Sequence, residues 1–121
     1  MTLSPVVIGL SAAGAVSTGV LAVGFAVAPR WTMARVSHQI ENLPAVMADR
    51  YLGFTLLALG AAWYGNMAVI AFLFAVFAEM SLADALIYRR AGKPIASHMT
   101  AGVAATTVAG LALLAQLTGA A

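Results

Sequence analysis

Cysteine is absent from this chain, which excludes disulfide exchange, thiolate nucleophiles, iron–sulfur clusters and cysteine-ligated zinc. Charge is scarce too. Only 8% of the 121 residues are Asp, Glu, Lys or Arg, against about 25% in soluble domains. A water-soluble fold of this length would lack the polar surface to stay dispersed. With 63% hydrophobic residues and a mean hydropathy of +0.98, the composition is that of a membrane protein. No His-x-x-x-His or Glu-x-x-His pair offers metal ligands, no glycine loop is spaced to cradle phosphate, and no serine nucleophile stands near a base. The methionines are scattered, so they form no metal relay. The broken helices and internal repeats of secondary transporters are missing as well.

What is present is four apolar segments: residues 6–28, 45–64, 67–88 and 95–118. Each is near the ~20 residues that cross ~30 Å of hydrocarbon. Pro29 closes the first, while Pro44 and Pro94 sit where helices start. Gly65-Asn66 separates the second and third, flanked by the interfacial anchors Trp63 and Tyr64, and predicts a tight antiparallel hairpin. Ala26-Val27-Ala28 resembles a signal-peptidase site, but no basic stretch precedes it, the apolar run exceeds the usual ~7–15 residues, and Pro29 would follow the cut. The first segment is therefore expected to be a retained helix. The fold class expected is all-α: an integral-membrane four-helix bundle forming a single domain over residues 1–121, with the lipid bilayer as its first partner.

The pI near 9.5 rests on six basic residues, and their placement is an orientation signal rather than a nucleic-acid footprint. Arg30 and Arg35 lie in the first connection; Arg89, Arg90 and Lys93 lie in the third. The N-terminus, the Gly65-Asn66 turn and the C-terminus carry no Lys or Arg. Both basic connections fall on one side of a four-span topology, so that side is read as cytoplasmic and both termini as outside. Within the first connection, Met33, Val36, Ile40 and Leu43 recur at three- and four-residue steps. That pattern predicts a short amphipathic helix at the membrane surface, anchored by Trp31 and capped by Thr32, with an irregular loop as the alternative.

Polar residues inside the spans are the candidate site. Glu79 and Asp84 interrupt the third segment, and a carboxylate at a bilayer centre costs about 2.5–3.5 kcal/mol on insertion scales. Asp84 precedes Arg89, and His98 follows Lys93, by the same number of residues. Both therefore lie roughly 7.5 Å inside the same boundary and can meet. Asp49 and Arg50 begin the second segment at comparable depth, and Glu79 lies roughly 7.5 Å deeper. Glu79 and Asp84 are about 140° apart around a helix, so they cannot share a narrow face. One economical arrangement pairs Asp84 with His98 and Glu79 with Arg50; swapped partners are open. Each residue also has a plainer role: Asp49 at a helix N-terminus, Arg50 snorkelling, Asp84 hydrated, His98 neutral at the interface, or all of them as a structural ion-pair network.

Small residues recur at four-residue spacing, as Gly9, Ala13 and Ser17 in the first segment and Gly102, Thr106 and Gly110 in the last. Such ridges either seal a bundle or dock a second copy or another membrane protein.

Arg50-Tyr51-Leu52-Gly53 opening a helix that continues to Gly60, followed by Asp84 to Gly92 and then His98, resembles the DoxX-like group of small bacterial membrane proteins over residues 45–112. The resemblance implies a four-helix inner-membrane bundle with intramembrane Arg, Asp and His, carried here by Arg50, Asp84 and His98. It also implies proximity to quinone-coupled redox assemblies, although the cysteines of related redox members are missing. Arg35 to Pro44 is similar to a motif of membrane-associated glutathione-metabolising enzymes; Glu41 matches its acid, and His38 stands where that family has Asn. The functional expectation is a small lipophile or quinone bound at Arg50, Glu79, Asp84, His98 and Asp49. The alternative is an accessory subunit or homo-oligomer, and a glutathione-dependent enzyme ranks third.

Overall fold

The computed structural model describes residues 3–36 and 39–119. Every regular element among them is helical: α1 (Leu3–Val27), α2 (Pro29–Arg35), a 3-10 turn (Ile40–Asn42), α3 (Leu43–Tyr64), α4 (Met67–Arg90) and α5 (Ala96–Thr118). Four helical stretches are long and apolar enough to cross a membrane: Pro5–Val27, Ile40–Tyr64, Met67–Arg90 and Ala96–Thr118. By its contacts the chain divides into two compact units, residues 1–49 and 50–121, with the division inside α3.

In the first unit, α1 ends where Pro29 takes the first position of α2, a place where its missing N–H costs nothing. The turn is tight. Thr32 is only 2% exposed, and a Cβ on Gly24 would stand 2.9 Å from the Thr32 hydroxyl oxygen. That hydroxyl donates to the Ala28 carbonyl at 3.0 Å, so Thr32 fills the corner from inside α2 instead of capping it. The Arg35 guanidinium lies over the Trp31 ring, 4.8 Å from its centroid. The expected amphipathic helix is thus shorter than its pattern. α2 stops at Arg35, Ile40 and Leu43 are exposed in the next elements, and His38 lies outside the described residues.

In the second unit the connections follow from three local devices. Gly65, at φ 71°, ends α3 in the left-handed region that glycine enters without a steric penalty. Asn66 then caps α4, its side-chain oxygen accepting from the Val69 N–H at 3.1 Å. At the other end of α4, Gly92 has φ 67°, Lys93 N–H donates to Tyr88 O at 2.9 Å and Gly92 N–H donates to Arg89 O at 3.1 Å. This is a Schellman closure. Arg89 and Arg90 occupy the last turn, where the helix dipole favours cations.

α4 and α5 pack antiparallel through small residues. Ala78 and Ala85 of α4 and Gly102, Ala105 and Ala112 of α5 are buried. Leu82 fills the space between them: a Cβ on Gly102 would stand 2.6 Å from its Cδ2 and 2.8 Å from its Cγ. The ridge expected at Gly102, Thr106 and Gly110 is therefore only partly used, since Thr106 and Gly110 are exposed. The seam instead follows alternating three- and four-residue steps, the spacing that keeps one helix face against its neighbour. Large apolar side chains lie outside it; Trp63, Phe72, Leu117 and Leu59 are 94%, 74%, 75% and 62% exposed. Burying alanine while exposing leucine and aromatics inverts the soluble pattern.

Two glycine substitutions separate packing from propensity. Gly102→Ala is expected to lower stability by about 1–3 kcal/mol through overpacking. Gly110→Ala, with nothing within 4 Å, is expected to be neutral or to stabilise by up to about 1 kcal/mol. Melting temperatures of the two variants in the same detergent check the opposite signs.

Candidate functional site

A cleft of about 390 Å³ opens among α3, α4 and α5, within residues 50–121. Its walls come from stripes on the three helices. On α4, Phe74, Phe77, Ser81 and Asp84 line it at three- and four-residue spacing, next to the face that packs on α5. α5 contributes Ser97, His98, Ala101, Ala104, Ala105 and Val108, and α3 contributes Tyr51 and Phe54. The stripe runs from aromatic to polar along α4, so the cleft has an apolar body and a polar end.

Asp84 and His98 make the polar end. His98 Nδ1 lies 3.8 Å from Asp84 Oδ2. That is ion-pair range for a protonated imidazole but too long for a hydrogen bond. Asp84 is about half exposed and His98 about a quarter. The imidazole is held by Tyr88, one turn beyond Asp84, whose ring stacks on it at 4.9 Å between centroids and 14° between planes. Serine and threonine hydroxyls elsewhere in these helices donate to a carbonyl one turn back, as Thr55, Thr100 and Thr106 do at 2.9, 2.8 and 2.8 Å. Ser81 and Ser97, both lining the cleft, make no such bond, which leaves two hydroxyls for whatever enters.

The apolar body is a chain of rings. Tyr51 meets Phe54 at 5.9 Å and 84°, Phe54 meets Phe77 at 5.4 Å and 54°, and Phe77 meets Phe74 at 5.5 Å and 69°. These are edge and tilted contacts, the geometries ring quadrupoles favour. The Phe54–Phe77 contact also joins α3 to α4.

Of the five residues expected to converge, the cleft brings together two, Asp84 and His98. Glu79 is exposed, away from the cleft, and makes no ion pair among the described residues. The expected Glu79–Arg50 pair is not formed. Arg50 is exposed and does not line the cleft, although its neighbour Tyr51 does. Asp49 is exposed and belongs to the other unit. The physical reasons are depth and azimuth. Depth arithmetic already leaves Arg50 roughly 7.5 Å shallower than Glu79, and the roughly 140° between Glu79 and Asp84 turns Glu79 away from the face that Asp84 shares with the cleft. Sequence reasoning missed Tyr88 and the aromatic wall. Their signal was the heptad-like spacing of Phe74, Phe77, Ser81, Asp84 and Tyr88. Among the described residues no three His, Asp or Glu side chains converge as metal ligands. Near the glutathione-like motif, Arg35 ends α2 against Trp31, and Glu41 is exposed in the 3-10 turn.

Comparison with models of protein families, with curated proteins and with solved structures gives no match.

The stacked pair has a spectroscopic signature. His98 ring protons over the Tyr88 face should be displaced upfield, and Tyr88→Leu should remove that displacement while Asp84→Asn leaves it in place. Proton–carbon correlation spectra of histidine-labelled protein in detergent check it.

Proposed function

We propose that this chain is a DoxX-like protein of the bacterial inner membrane, with both termini outside, that binds a small lipophilic molecule in the cleft among α3, α4 and α5. The membrane reading rests on the inverted distribution of side chains. Alanines Ala61, Ala78, Ala85, Ala105 and Ala112 are buried while large apolar side chains such as Leu59, Trp63, Phe72 and Leu117 are exposed. Water would drive that surface to aggregate, whereas lipid solvates it and leaves small-residue packing to hold helices together. The orientation rests on the basic connections, and α2 with its Trp31 is then an interfacial element.

The binding reading rests on one observation: an aromatic-walled cleft of about 390 Å³ that ends in a carboxylate, an imidazole and two free hydroxyls. Concave apolar sites of about 300–1,000 Å³ with a few convergent polar groups are how proteins hold small molecules. A quinone head group fits this description as one member of the class, with Ser81, Ser97 or His98 donating to a carbonyl. The reading assigns no reaction to the site. Native mass spectrometry of protein released from its own membrane should find a bound lipophile. Phe77→Ala should weaken its retention about tenfold or more, from roughly 1.5–3 kcal/mol of lost aromatic burial, and Glu79→Gln should not. Retention unchanged in Phe77→Ala would remove the cleft assignment.

A second reading, assembly, is favoured by Glu79 itself. Its carboxylate is exposed near the middle of α4 with no cation on it among the described residues, and an unpaired charge at that depth calls for a partner surface. Leu86, exposed nearly above Glu79 on α4, offers a probe in a chain free of cysteine. Leu86→Cys should form disulfide-linked dimers in native membranes if a second copy covers this face; recovery of monomer alone would sink self-assembly there.

A further inference from the structure

Resting on the reading of the cleft as a lipophile site, we infer that its ligand is a lipophilic organic cation, an amine or quaternary ammonium with apolar groups, whose charge is met by Asp84. The inference comes from the charges that line the cleft. Asp84 is the one Asp, Glu, Lys or Arg side chain among its lining residues. Helical neighbours supply no counter-ion, because the positions one turn away on the C-terminal side are Ile87 and Tyr88. Arg89 and Arg90 make no ion pair with it; the contact at 3.8 Å to His98 is the only ion pair among the described residues. The titratable groups around Asp84 are therefore His98 from α5, Tyr88 from its own helix and Tyr51 from α3, and none is a fixed cation. Asp84 is thus the one acidic side chain lining the cleft, and no Lys or Arg among the lining residues offsets it.

Desolvation makes that charge selective. An uncharged lipophile entering the cleft strips water from Asp84 and gives nothing back, and an anion is repelled. A cation restores what the carboxylate loses. The aromatic wall acts in the same direction: the rings of Tyr51, Phe54, Phe77 and Phe74 line the cleft and meet edge-on or tilted, not stacked in parallel. Ring faces are the negative pole of the quadrupole and attract ammonium groups, more strongly when water is excluded. Asp84 sits about 7.5 Å from the end of the apolar part of α4. The charged head would thus lie at the polar end of the cleft, with apolar groups running toward Phe74 and Val108.

The test uses full-length protein in nanodiscs of zwitterionic lipid. Tetraphenylphosphonium is the cationic probe and triphenylphosphine oxide the uncharged one, and binding of each is followed by equilibrium dialysis. Tetraphenylphosphonium should bind at least tenfold more tightly than the oxide. Asp84→Asn should abolish that preference, Asp84→Glu should keep it, and Phe77→Ala should weaken both probes. If the oxide binds as tightly and Asp84→Asn changes neither probe, the cation inference falls while the cleft reading stands. If neither probe binds, or Phe77→Ala affects neither, the cleft reading falls and the inference with it.

Discussion

Close approach of α4 and α5 through alanine and glycine is the contact on which the rest of residues 50–121 depends. Gly102 lets Leu82 seat almost on the backbone of α5, and the buried alanines on either side hold the two helices together along their length. That proximity sets everything beside it. Asp84 and Tyr88 lie on the face of α4 adjoining the seam, so bringing the backbones close also brings Asp84 within 3.8 Å of His98 and stacks Tyr88 upon it. A bulkier seam would part the helices and leave both side chains without their neighbour. The polar end of the cleft is thus a consequence of packing, not a separate device.

The two acidic residues of α4 show how azimuth decides what a charge does. Both lie on one helix within a turn and a half of each other. Asp84 shares the stripe of Phe74, Phe77 and Ser81 and so enters a cleft whose other walls are aromatic. Glu79 emerges on a face with no partner among the described residues. An unmet carboxylate at the centre of a bilayer costs roughly 2.5–3.5 kcal/mol, a cost that bears more on the deeper Glu79 than on Asp84 near the boundary. Their surroundings differ: Asp84 has an imidazole at 3.8 Å and is about half exposed, whereas Glu79 has no ion-pair partner among the described residues. Treating them as one cluster merges two separate requirements.

Much of this was legible in the sequence because the strongest signals are one-dimensional. Hydropathy, Pro29, the Gly65-Asn66 pair and Pro94 mark helices that end within a few residues of where they were expected. Asp84 and His98 were legible as neighbours for the same reason: across a short connection, equal distance from the boundary implies equal depth. What depth cannot give is the angle around the axis, and most of the missed features are angular. Glu79 lies deeper than Arg50, and it also emerges on a face turned from the cleft. Phe54, Phe74 and Phe77 look like any lipid-facing aromatics in a hydropathy profile, and only their register with Ser81 and Asp84 separates them. The ridge at Gly102, Thr106 and Gly110 was read at a strict four-residue step, whereas the seam alternates three and four and passes to Ala105 and Ala112. In the first connection the apolar pattern suggested a short helix through Met33, Val36, Ile40 and Leu43, but α2 ends at Arg35 and a 3-10 turn holds Ile40.

The division of labour between small and large side chains has a thermodynamic reason. Alanine and glycine lose no rotamer freedom when a helix face is covered, whereas leucine, methionine and similar chains lose about 0.5–2 kcal/mol each. In a medium that solvates apolar surface as well as protein does, little hydrophobic gain offsets that loss. Helices then associate best through residues that have nothing to immobilise. Side chains with conformational freedom are left for the outer surface and for the cleft, where Met80 and the phenylalanines stand beside a fixed carboxylate and a stacked imidazole. On the proposed reading of the cleft, a rigid seam next to an adaptable wall would suit molecules that differ in shape but share a charge, because the seam sets where Asp84 stands while the rings can adjust around apolar groups.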